Sequence, residues 1–201
     1  MEMCVSANSH QRGARFRRWL VFGIAALSAM VVIAGSISRL PFSEWKTFAM
    51  TGPTMEPVLH EKDRVLVDRR SIGKLTRWSI IVFYSPEAGV SRRTLLQRVV
   101  ALPCERVHIA DGKLLINGEA CPLPADMATV HYTVPRSTGA AEVYGISEKD
   151  SYAIVPPDHY FTLADNSEIA KDGRIIGWIP RENIIGRVTS VYWPPSRSRS
   201  F

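Results

Sequence analysis

From Trp19 to Ser38 the chain carries no charged residue, and this run constrains the fold more than any other feature. About 20 uncharged, mostly apolar positions are enough for one helix to cross a bilayer. Arg12, Arg15, Arg17 and Arg18 cluster before the run, and Arg39 stands alone directly after it. Cationic flanks stay on the cytoplasmic side. Residues 1–18 are therefore predicted to be cytoplasmic, 19–38 a single transmembrane anchor, and everything beyond about residue 40 exported. The competing reading is a cleaved signal peptide, because Gly35, Ser36 and Ser38 are small. Its apolar core would span about 7–15 residues, so the longer run favours a retained anchor in contact with membrane lipid.

The rest of the 201-residue chain, roughly 160 positions, suffices for one domain with a proper core. Its apolar runs are short, β-branched and stopped by Pro or Gly, which predicts a mainly β domain over 39–193. Arg64–Asp68 and Ile80–Tyr84 read as strands, the second stopped by Pro86, and Leu95–Leu102 is a third, stopped by Pro103. Val107–Ile116 holds Asp111-Gly112 between two apolar runs, a strong hairpin signal. Residues 122–158, rich in Pro, Gly, Ser and Thr, read as an insertion with weak strands near Thr129–Val134 and Tyr152–Ile154. Tyr160–Leu163 is a further strand, and Ile184–Trp193 closes the domain as a strand pair or one long strand. The alternating Ser and Arg of residues 194–201 predict a disordered tail. No helical period exceeds two turns outside the anchor.

The formal charge of +6 raises nucleic acid as a partner. The arginine cluster is better explained as a membrane flank, and no recognised nucleic-acid motif accompanies it, so none is expected. His and Cys are sparse and never at ligand spacing, so neither a metal nor another cofactor is expected. Cys104 and Cys121 would be exported, where disulfides persist. The hairpin register places them near each other but not directly opposite, which leaves a disulfide and two free thiols as alternatives.

Chemistry is suggested by Gly52-Pro53-Thr54-Met55-Glu56-Pro57. The two prolines bar a regular helix or central strand there, and a hydroxyl held on a turn is where a nucleophile is placed. An isolated Pro-Thr-Met is more often an ordinary turn. Three further segments follow in order: the strands within Val65–Phe83, then Gln97-Arg98-Val99-Val100-Ala101-Leu102-Pro103, then Ala164-Asp165-Asn166 with Asp172-Gly173-Arg174. Together, behind an anchor, these segments resemble the bacterial type I signal peptidases, the Ser–Lys endopeptidases that remove signal peptides from exported proteins. The resemblance runs from the anchor to Trp193. It implies a coiled β-sheet domain behind one N-terminal transmembrane helix, on the outer side of the cytoplasmic membrane.

The resemblance also implies residue roles. Thr54 takes the position of the nucleophilic serine, Gln97 that of the lysine base, and Ala170 that of the serine that orients the lysine. Met55, Pro57, Arg98, Asp165, Asn166, Asp172 and Arg174 match the family's groove and scaffold. Gly173 stands where the family has a serine. A threonine keeps the hydroxyl but is stiffer at χ1, whereas a glutamine amide has no usable basicity near neutral pH. Lys171 and His60 are the candidate substitute bases in sequence. Two functions therefore remain open. One is a membrane-bound endopeptidase acting on signal peptides through Thr54 and an unusual base. The other is a non-catalytic relative whose groove binds exported peptides or an active partner peptidase.

Overall fold

The computed structural model describes residues 44–86, 93–133, 143–147 and 149–201. The 19–38 run lies outside the described residues. Among the described residues no helix is long and apolar enough to cross a membrane.

The apolar runs become antiparallel strands. β1 (Trp45–Ala49), β2 (Arg64–Asp68), β3 (Ile80–Tyr84), β4 (Thr94–Ala101), β8 (His159–Leu163), β9 (Ile179–Pro180) and β10 (Ile184–Trp193) join in the order β1-β2-β10-β3-β4-β8-β9. A separate sheet holds β5 (Val107–Ala110), β6 (Lys113–Ile116) and β7 (Glu119–Ala120). β5 and β6 meet at a two-residue turn in which Asp111 has φ 49° and Gly112 φ 73°. Positive φ at both positions is the primed turn whose twist suits a hairpin.

β3 is apolar along its whole length, and the apolar residues of β4 flank Gln97 and Arg98, because both faces of the sheet are covered. Ile80, Val82 and Val100 belong to the larger core cluster, with Met55, Leu59, Val65, Phe161 and Leu163. Ile81, Phe83 and Val99 belong to the second, with Tyr160, Ile179 and Ile184. Each such side chain contributes about 1.5–3 kcal/mol on burial. β10 spans the middle of the sheet as one long strand and breaks register against both neighbours. Such bulges increase local twist. At the bulge beside β3, a Cβ on Gly186 would stand 2.7 Å from the Asp68 carbonyl oxygen, so only glycine lets β10 approach β2 so closely.

Three expectations differ from the structure. The described part of Thr129–Val134 forms no strand; Met127, Val130 and Tyr132 are instead buried in the larger core. Asp150–Ala153 is a single helical turn, and only Ile154 bridges to Arg106. Pro194–Phe201 is ordered. A turn at Pro195–Arg197 leads into β11 (Arg199–Ser200), which pairs with β10 through Ser190–Ser200 and Val191–Arg199. The segment pairs with β10 through its backbone, and its arginines reach partners on another loop, which composition cannot report.

Candidate active site

The Thr54 turn is held from below by apolar anchors and from the side by backbone hydrogen bonds. Met55, Val58 and Leu59 point into the core. The Leu59 amide donates to the Met55 carbonyl at 2.8 Å and the Glu56 amide to that of Pro53 at 3.2 Å. The peptide bond before Pro57 is cis. Thr54 itself is left half-buried.

The loop after β8 locks onto this turn. The Asn166 amide donates to the Thr54 carbonyl at 3.0 Å, and Asn166 Nδ2 donates to the Pro53 carbonyl at 3.2 Å. Two buried ion pairs fix the loop in turn. Arg98, on β4, donates from Nε and Nη2 to the two oxygens of Asp165 at 2.9 and 2.7 Å, and from Nη1 to the Trp78 carbonyl at 3.1 Å. Arg174 donates from Nε and Nη2 to the two oxygens of Asp172, each at 2.8 Å, and also to the carbonyls of Ser167 and Thr133. Asp172 further accepts the Ala164 amide at 3.1 Å. A buried charge is tolerated only when paired and hydrogen-bonded in this way. Burial lowers the Arg98 guanidinium, but the hydrogen bonds and charge of Asp165 overcome it and hold the group above its usual range.

These constraints bring the three expected positions into one cleft. A cavity of about 430 Å³ is bordered by Thr54, Gln97 and Ala170 together, with Met50, Leu96 and Ile169 among its apolar walls. Gln97 is nearly sealed, at 3% exposure, and Ala170 is 8% exposed. Both ends of the Gln97 amide are engaged: Nε2 donates to the Lys171 carbonyl at 3.0 Å, and Oε1 accepts from the buried Thr162 hydroxyl at 2.7 Å. Ala170 presents only a methyl group. A Cβ at Gly173 would lie 2.4 Å from the Thr162 carbonyl oxygen. This loop therefore sits closer to β8 than any residue with a side chain at that position allows.

Of the two candidate substitute bases, Lys171 borders the same cavity and His60 is not among its walls. Lys171 is exposed. His60 donates its backbone amide to Asp63 at 2.9 Å. Cys104 and Cys121 are free thiols, the first exposed and the second half-buried. Thr162 was not singled out in the sequence. Its one signal is a hydroxyl inside an apolar strand, which requires a partner once buried.

A family model described as signal peptidase, peptidase S26, matches residues 18–193. The chain belongs to this family. Signal peptidase IB of Staphylococcus aureus is 25% identical over 180 residues, 88% of each chain. Signal peptidase I of Leptolyngbya laminosa is 29% identical over 185 residues, 89% of this chain and 82% of its own. A solved signal peptidase I from Enterococcus faecalis aligns with TM-score 0.45 and 27% identity, covering 58% of this chain and 97% of that one. The signal peptidase family acts on the signal peptides of exported proteins.

Proposed function

We propose that this signal peptidase family member is a membrane-anchored protein whose exported domain grips signal peptides without cutting them by a Ser–Lys reaction. The observation that carries this reading is the state of Gln97. Where a Ser–Lys peptidase needs a neutral amine beside its nucleophile, this chain holds an amide already engaged by Lys171 and Thr162. An amide cannot take a proton from Thr54. General-base catalysis alone contributes about 10²–10⁴ in rate, and Ala170 offers no hydroxyl to orient a replacement base. Binding needs none of these groups. The cleft remains, with Met50, Leu96 and Ile169 among its walls, and β1 lies at one end of the sheet order, where an extended peptide can add as a further strand. The anchor over 19–38 keeps the domain at the outer membrane surface, where signal peptides emerge and where an active paralogue would work.

The test uses the full chain in detergent, with a fluorescent signal peptide for binding and a preprotein for cleavage, beside Thr54→Ala. The expected result is saturable binding by both proteins and cleavage by neither. Cleavage that disappears in Thr54→Ala would make Thr54 a working nucleophile and overturn the proposal. Absence of binding would overturn the peptide-gripping role.

A further inference from the structure

We propose that Pro194–Phe201 is a clamp that sets the shape of the Thr54 turn, with Arg197 and Arg199 as positioning residues for the cleft. The functional half of this inference rests on the peptide-binding reading above.

The segment is fastened at one side and reaches across at the other. The Arg197 amide donates to the Pro194 carbonyl at 3.0 Å and that of Ser198 to Pro195 at 3.2 Å, and the resulting turn sends the chain back along β10. The Phe201 amide then donates to the Thr189 carbonyl at 2.8 Å, and the Arg199 guanidinium lies 4.9 Å from the Phe201 ring centroid. Attachment to β10 needs only these backbone bonds. The arginine side chains lead elsewhere, to the stretch between Val58 and Asp63.

Arg197 donates from Nε and Nη2 to Asp63 Oδ1 at 2.9 and 2.6 Å. The Asp63 side chain is 2% exposed while that of Arg197 is 41% exposed, so the arginine closes over a carboxylate that would otherwise be buried unpaired. Asp63 Oδ2 accepts the His60 amide. The Asp63 carbonyl accepts the amide of Met50 at 2.8 Å, and the Lys62 amide donates to the Met50 carbonyl at 3.0 Å. Met50 is a wall of the cleft. Arg199 donates to the Val58 carbonyl, inside the turn closed by Leu59 and Met55 that follows Thr54. Burial raises the Asp165 carboxyl, and the charge of Arg199 adds to that of Arg98 in opposing the rise. Two arginines thus tie one segment to the stretch beside the cleft, Arg197 through Asp63 to Met50 and Arg199 at Val58, four residues beyond Thr54.

A segment that merely covered the sheet would act on the sheet as a whole. A clamp acts on residues 55–63 and on the cleft. Hydrogen exchange resolved by residue, together with signal-peptide titration, separates the two in the full chain. In Arg199→Ala and Arg197→Ala, exchange at Leu59, His60 and Asn166 should quicken about tenfold or more, the loss of a charged hydrogen bond. Exchange in β3, β4 and β8 should stay unchanged, and peptide affinity should fall. Arg199→Lys, which keeps a donor for the Val58 carbonyl, should restore most of both. Unchanged exchange at Leu59 and Asn166, or equal acceleration across the sheet, would overturn the clamp. Faster local exchange with undiminished affinity would overturn its role in the cleft. If wild type binds no peptide, the peptide-binding reading fails and the cleft role with it, while the exchange pattern still decides the clamp.

Discussion

Gln97→Met tests whether the amide at the base position is a structural lock. Methionine has nearly the same length and fills the same space, so the change removes hydrogen bonds and little else. Two are lost, one to the Lys171 carbonyl and one from the Thr162 hydroxyl. Each is worth about 0.5–1.5 kcal/mol net, and stranding a buried group adds about 1–3 kcal/mol. The Lys171 side of the loop is exposed and can turn to water. Thr162 is fully buried and cannot. The sum is about 2–6 kcal/mol, a large share of the ~5–15 kcal/mol that stabilises a domain. At about 2–4 °C per kcal/mol for a domain of this size, the melting temperature should fall by about 6–12 °C for a loss of 3 kcal/mol. Adding Thr162→Val removes the stranded hydroxyl and should recover part of the loss, since removing both partners costs less than removing one. A fall below about 0.5 kcal/mol, or no recovery in the double variant, would show that the amide locks nothing. Gln97→Lys extends the test to pH. Burial disfavours the ammonium and places the folded-state pKa below the unfolded value of about 10.4. The unfolded chain then binds more protons between those values, so stability must rise with pH through that window. Denaturant unfolding at about pH 6 and about pH 9, read against wild type, should show the lysine variant gaining at the higher pH. A flat difference would mean that the lysine reaches solvent.

The two kinds of ion pair should respond very differently to loss of a partner. Arg174→Met leaves the Asp172 carboxylate buried without its partner and should cost about 3–5 kcal/mol, whereas Arg106→Ala, at an exposed pair with Asp150, should cost under about 1 kcal/mol; similar denaturation midpoints for the two would refute the difference. Burial pushes the Cys121 thiol up while Cys104 is exposed. Alkylation with mass mapping should therefore label Cys104 first, and the reverse order or a Cys104–Cys121 cross-link would refute this.

Much of the architecture was legible because its causes are local. β2, β3 and β10 form where Val and Ile cluster between charges or prolines, and Asp111-Gly112 can hardly be anything but a tight turn between two apolar runs. The family was legible for a different reason: a motif such as Gln97-Arg98-Val99-Val100 keeps its order along the chain, and the family model matches residues 18–193. The sequence therefore determined by itself a mainly β domain of the signal peptidase family; that Thr54, Gln97 and Ala170 stand where a serine, a lysine and a serine would be is what the resemblance implies.

Tertiary structure decided what those residues do there. Whether Gln97 is idle or engaged depends on a backbone carbonyl 74 positions away and a hydroxyl 65 positions away, and no local pattern encodes either. Gly173 reads as a loop glycine until the Thr162 carbonyl is seen to leave no room for a Cβ. Arg197 and Arg199 look like solvated charges in a tail because composition reports only what a side chain costs to bury. Their partners, Asp63 and the Val58 carbonyl, come within reach only once β10 has carried the chain back past the Thr54 turn.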